Sequence, residues 1–136
     1  MNLLRMKDRN MGFTDPVRAT IPGHRLVFNK ISAEHPGESH ANLVVDPDCV
    51  SEGVLYKLVD EDEIKRMDPF ENYPVNYRRE VLSLPGLPDF WVYFANPEVC
   101  KEGLRPSFKY MHHLLMGKPF LSESYFSSLL SVRCIE

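Results

Sequence analysis

The stretch Gly53-Val54-Leu55-Tyr56-Lys57-Leu58-Val59, continuing through Asp60-Glu61-Asp62-Glu63 into Met67-Asp68-Pro69-Phe70-Glu71-Asn72-Tyr73-Pro74, changes its periodicity twice. Val54, Tyr56 and Leu58 alternate as a strand does, with every second side chain on one face. Asp60 then offers an N-cap, and Glu63 three positions on completes a capping-box-like start to a helix. Proline and asparagine break the helix around Pro69 to Pro74, and a new alternating run begins at Tyr77.

Outward from this segment the same signals repeat. Tyr77 to Leu84 and Phe90 to Asn96 read as two strands around Pro85-Gly86-Leu87-Pro88, which predicts a β-hairpin with a proline-stiffened loop. Upstream, Asn42 to Val45 reads as a short strand ended by Asp46-Pro47-Asp48. Arg18 to Ile21 and His24 to Lys30 read as strands bent at Pro22-Gly23, and Ser32 to Ser39 as a polar loop. Asn2 to Arg9 is a short helical segment with Leu3 and Met6 on one side, stopped by Asn10 and Gly12. Ser107 caps a helix through Met116 whose apolar face is Phe108, Met111, Leu114 and Leu115. Ser122 caps a last helix with Phe126, Leu129 and Leu130 as its stripe. Strands dominate the first two-thirds and the longer helices come last. That order predicts an α+β fold with a curved, mainly antiparallel sheet or open β-barrel.

A chain of 136 residues, 43% of them apolar, fits one domain, 1–136, with a sizeable core. Sixteen basic against nineteen acidic side chains give a net charge of -3, which does not advertise nucleic acid or an anionic membrane as partner. A ligand carrying a carboxylate would need a local positive patch or backbone amides. Cys49, Cys100 and Cys134 are odd in number and lack CxxC spacing, which fits a reducing, cytoplasmic setting better than a disulfide framework or a zinc site. No apolar run has the length of a spanning helix. The acids Asp60 to Glu63 are explained by helix capping and the helix dipole, not by a metal. His112 and His113 are adjacent on a helix and splayed apart, and with His24, His35 and His40 they read as surface residues.

Glu71 is the candidate for chemistry. A carboxyl at an element junction beside Phe70, Tyr73 and Pro74 is placed for a raised pKa and for proton transfer. The alternative is a carboxylate paired with Arg78 or Arg79, which should lie on opposite faces of their strand. Asp68 would end the helix or hold the loop that bears Glu71.

Five segments in order resemble the γ-glutamylcyclotransferase superfamily across almost the whole chain. They are Ala41-Asn42-Leu43-Val44-Val45, Gly53 to Leu58, Met67 to Pro74 with Tyr77-Arg78-Arg79, Pro106-Ser107-Phe108-Lys109-Tyr110 with Gly117, and Ser124-Tyr125 with Leu129. The resemblance implies a barrel-like sheet with flanking helices. It implies an enzyme that closes γ-glutamyl amino acids or amines to pyroglutamate and releases an amine, with no metal and no organic cofactor. Glu71 matches the family's proton carrier and Tyr110 its pocket tyrosine; Tyr77 is expected to orient Glu71, and Tyr73 to wall the substrate site. Family members open with a strand running into Tyr-Gly-Ser-Asn, whose amides cradle the glutamyl end, whereas Met1 to Met6 resembles the residues immediately after that loop. The expectations are therefore a chain that begins upstream, or a relative that has lost the cradle and acts as a binding module. Either leaves a sheet edge open to a second copy as a homodimer.

Overall fold

The computed structural model describes residues 1–135. Helix α1 (Leu3–Asp8) is capped by Asn2, whose side chain accepts from the Leu4 and Arg5 amides, and Asn10 at φ 57° turns the chain out of it. Two long strands follow, β1 (Phe13–Ile31) and β2 (Ser39–Leu58), paired antiparallel from Phe13↔Leu58 to Ile31↔Ser39. Helix α2 (Glu63–Met67) runs directly into a 3₁₀ turn, Asp68–Glu71. Strands β3 (Tyr77–Leu82) and β4 (Phe90–Ala95) form the expected second hairpin. Helices α3 (Phe108–Leu115) and α4 (Glu123–Leu130) close the described chain, capped by Ser107 and Ser122 as their sequences require.

The four short strands read from the first half are two long ones. Pro22-Gly23 and Asp46-Pro47-Asp48 do interrupt the ladder, but they face each other across it as one irregularity between the pairs Pro22↔Val50 and His24↔Val45. Gly23 sits at φ 70°, a conformation a side chain would strain, and Asp46 accepts from the Asp48 amide. Further register shifts fall between Thr14 and Val17, where Asp15 is at φ 49°, and between Val27 and Lys30. Such bulges bend and twist a strand without ending it. A local reading sees only the break, because continuity on the far side is supplied by the partner.

The architecture is α+β, with antiparallel hairpins and flanking helices, curved and not closed into a barrel. The two hairpins are separate ladders joined by side chains. Buried Asn42 on β2 accepts from the Ala95 amide of β4 and donates to Asn29 of β1. Isolated bridges continue the sheet, antiparallel at Lys30↔Cys100 and parallel at Glu38↔Arg105. Met111 and Leu114 of α3 and Leu129 of α4 pack with Leu121 against Leu26, Phe28 and Ala41. Glu52 on β2 accepts from both the amide and the hydroxyl of Ser122, pinning the start of α4 to the sheet. Phe108 and Leu130, expected in the apolar stripes, are exposed at 67% and 59% and lie outside the core cluster. Among the described residues no helix is long and apolar enough to cross a membrane.

Candidate active site

The turn that carries Glu71 is held by its neighbour. Pro69 sits in the first positions of the 3₁₀ turn, where its missing N–H costs nothing, and Asn72 at φ 48° ends it. Asp68 receives two bonds from Arg79 of β3, from Nε at 2.8 Å and Nη2 at 3.0 Å, and a third from the Tyr93 hydroxyl of β4 at 2.6 Å. Burial pushes the Asp68 carboxyl upward, but Arg79 and Tyr93 outweigh it and hold it below the usual carboxylate range. The guanidinium of Arg79 is itself sandwiched between Tyr73 and Trp91, 4.7 Å from each ring centre. The turn is thus fixed to the β3–β4 hairpin through Asp68, and Glu71 pairs elsewhere.

Arg9, at the end of α1, is the ion-pair partner of Glu71: its Nη1 lies 3.5 Å from Oε1. The expected alternatives do not pair with it, since Arg79 is committed to Asp68 and Arg78 donates to the Ala95 carbonyl on the other face. Burial pushes the Glu71 carboxyl up, and the pull of Arg9, Arg5 and Lys30 reverses only part of that rise. Phe70 is 49% exposed, with Arg9 stacked on it at 4.9 Å, and Tyr73 is 39% exposed and turned to Arg79. Tyr73 is therefore not brought into the site.

Tyr77 and Tyr110 are. Their hydroxyls meet the two adjacent peptide units of β2 that flank Ala41. The Ala41 amide donates to the Tyr110 oxygen at 3.0 Å, and the Tyr77 hydroxyl donates to the Ala41 carbonyl at 2.8 Å. Tyr77 thus orients β2 and not Glu71. Both phenols are pushed up, chiefly by burial, with the Glu71 charge adding to it. Ala41 lies between Asn42 and His40 at a shift in register, so these hydroxyls take the place of a neighbouring strand at that point. Tyr110 accepts from Ala41, and its own proton meets no acceptor among the described residues.

Several residues around this cluster were not legible as site residues. Lys30 of β1 is 4% exposed, and burial draws its ammonium down while Glu71 raises it. His40 is half-buried, its ring 4.7 Å from that of Tyr110, and burial followed by Lys30 lowers its pKa. His113 lies 3.2 Å from the Asn2 amide nitrogen, on the helix side of α1. These two histidines are packed, not the surface residues their spacing suggested. The Met1 amine, lowered to about 6 by burial and then by Arg9, also feels Glu71. Sequence carries no signal for this set, because its members come from α1, β1, β2, β3, α3 and the 3₁₀ turn.

The acidic run behaves as a cap. Asp60 accepts from the Asp62 and Glu63 amides, while buried Glu63 reaches not back to Asp60 but across to the Gly12 amide at 3.1 Å. Among the described residues no three metal-ligating side chains converge. Two concavities lie elsewhere. One of about 310 Å³ is lined by Phe28, Cys49, Ser51, Tyr125 and Leu129, and one of about 620 Å³ by Val75, Arg78, Asn96 and Glu98. Neither is lined by Glu71, which sits in a cluster with Arg9, Arg5 and Lys30.

Residues 2–113 match the model of a family described as gamma-glutamyl cyclotransferase, AIG2-like. No curated protein matches the chain. Among solved structures, a gamma-glutamyl cyclotransferase superimposes with a TM-score of 0.76 at 16% identity, over 99% of this chain and 83% of its own. An uncharacterized protein from Homo sapiens gives 0.73 at 15% identity, over 98% and 81%. YkqA from Bacillus subtilis gives 0.69 at 17%, over 98% of this chain but 52% of its own length. At these identities the likeness concerns the fold.

Proposed function

The chain belongs to the AIG2-like gamma-glutamyl cyclotransferase family, and on that premise we propose that it closes γ-glutamyl amines or γ-glutamyl amino acids to pyroglutamate, with Glu71 carrying the proton. The observation that carries this reading is a Glu71 carboxyl raised by burial inside a cluster of cations and tyrosines.

The α-ammonium of the substrate gives a proton to Glu71. The freed amine attacks the γ-carbonyl carbon of the same molecule, forming the ring C–N bond, placing negative charge on the carbonyl oxygen and positive charge on the ring nitrogen, which gives its surplus proton to water. As that oxygen's electrons return, the bond to the leaving nitrogen breaks, and Glu71 hands its proton to that nitrogen. Nucleophile and electrophile share one molecule, so most of the entropy of encounter is already spent. What the protein must add is proton transfer, which is worth about 10²–10⁴-fold, and stabilisation of the oxyanion. The Tyr110 hydroxyl, held by the Ala41 amide with its own proton uncommitted, suits the second task.

A second reading is a relative that binds but does not turn over, and the Arg9 pair favours it by stabilising the charged carboxylate and so weakening it as a base. Pyroglutamate release from γ-glutamyl amino acids, γ-glutamyl amines and glutathione, compared between the wild type and Glu71→Gln, separates the two. The enzyme reading expects release that falls by at least about 10²-fold in the variant. Equal release from both proteins removes Glu71 from the reaction, and saturable binding without release establishes the second reading.

A further inference from the structure

Lys30 sits in the middle of this cluster with a charge that nothing in the fold accounts for. It is 4% exposed, yet its ammonium makes no hydrogen bond and no ion pair among the described residues. Its one close companion is the Tyr77 ring, with Nζ 5.9 Å from the centroid. A ring face at that distance returns only part of the hydration a buried ammonium gives up. The sealed, unpartnered side-chain atoms among the described residues are Ser39 Oγ and Tyr56 Oη, and Lys30 Nζ is not one of them. The ammonium therefore opens on a space that solvent can enter.

The surroundings say what that space would take. Lys30 follows a shift in the β1–β2 register and bridges to Cys100, so its side chain leaves the ladder at an irregular point beside His40 and Ala41. Glu71 feels it, together with Arg9 and Arg5, but lies beyond ion-pair distance. Three cations thus surround one carboxylate that Arg9 already engages. An excess of positive charge in a buried cluster calls for one more anionic group. The Tyr77 and Tyr110 hydroxyls are both engaged at Ala41, so neither supplies that charge.

We propose that Lys30 binds the α-carboxylate of the γ-glutamyl group, and that this contact sets the α-amine against Glu71 and the γ-carbonyl against Tyr110. This rests on the reading of Glu71 as proton carrier. It makes Lys30 a positioning residue: it moves no proton, and it defines the substrate class as one that keeps a free α-carboxylate. A lysine suits the role because a compact ammonium on a long stem reaches a single carboxylate from a strand.

The probes are pyroglutamate, which keeps only that carboxylate, and 2-pyrrolidinone, the same ring without it. Binding of each is measured by calorimetric titration to the wild type, Lys30→Met, Lys30→Arg and Glu71→Gln, with thermal unfolding of every variant. The expected result is that Lys30→Met weakens pyroglutamate by about 10–100-fold, the range for a charge-assisted hydrogen bond. Lys30→Arg recovers part of the loss, 2-pyrrolidinone is indifferent to the variant, and Glu71→Gln still binds pyroglutamate through Lys30. Lys30→Met should unfold no earlier than the wild type, since it removes an unpaired buried charge.

An unchanged pyroglutamate affinity in Lys30→Met, or equal weakening of both rings, overturns the proposal, as does a wild type that binds neither. Lys30-dependent binding in a protein that never releases pyroglutamate from a substrate would instead sink the cyclisation reading and leave the anchor standing. Release that depends on Glu71 while Lys30→Met turns over a γ-glutamyl amide and its decarboxylated 4-aminobutanoyl counterpart with unaltered preference sinks the anchor alone.

Discussion

Asp68 and Glu71 stand three residues apart on one 3₁₀ turn and meet opposite fates. Asp68 accepts three short bonds from Arg79 and Tyr93, and its carboxyl is held down. Glu71 has a single looser contact, 3.5 Å from Arg9, and its carboxyl is raised. Accessible surface does not predict this order, since the Asp68 side chain is 14% exposed and that of Glu71 25%. What differs is the number of donors that compensate burial, and the amount of protein around each group. A carboxylate with its lone pairs filled is a structural fastening. One buried with few partners keeps its affinity for a proton.

The largest effect expected from this contrast is on turnover. Glu71→Gln should lose about 10²–10⁴-fold in pyroglutamate release while unfolding at neutral pH no earlier than the wild type. The sign follows from the raised pKa. The folded state holds the proton more tightly than the unfolded one, so this group costs stability as pH climbs from the ordinary carboxyl value through the folded one. Removing the charge should flatten that fall in a melting curve taken across pH.

Arg79→Leu should do the reverse, costing roughly 3 kcal/mol of stability by leaving Asp68 buried without its counterion. The pair's contribution is present above the unfolded carboxyl pKa, about 3.9, and is lost as pH falls through the lower folded value. Urea melts of the wild type and the variant should therefore converge in acid. A difference that persists undiminished well below that value would mean the guanidinium acts through its stacking on Tyr73 and Trp91.

Tyr93→Phe removes one of the three bonds and should cost about 1–2 kcal/mol, with activity reduced only as far as the turn loosens. The smallest change is expected from Arg9→Met. Loss of that cation lets the Glu71 pKa rise further, so the acid limb of a pH profile of kcat/KM should move to higher pH with little change in the plateau. A limb that stays in place would show that Arg9 does not control the carboxyl.

Within the site, the sequence located the turn and its two acids, because proline and asparagine write such a turn locally. It also placed Arg78 and Arg79 on opposite faces, a consequence of strand alternation alone. It could not say that Arg79 belongs to Asp68 and Arg9 to Glu71. One partner is eleven residues away and the other lies on the first helix, and both pairings exist only after the hairpin and α1 have docked. Lys30 was invisible for the same reason. In a strand sequence a lysine reads as an outward residue, and only the register shift before it and the bridge to Cys100 turn it inward. Tyr73 shows the converse: an aromatic neighbour in sequence that the fold spends on an arginine elsewhere.

The residue order by itself determined what is periodic or punctuated over a few positions: the α+β order, the second hairpin, the caps at Ser107 and Ser122, and the turn that presents Glu71. These depend on backbone sterics and on hydrogen bonds closed within three or four residues. Tertiary structure alone decided that the broken strands are continuous, which acid is fastened and which is left basic, and where positive charge collects. Those outcomes depend on desolvation and on partners distant along the chain, quantities no local window contains.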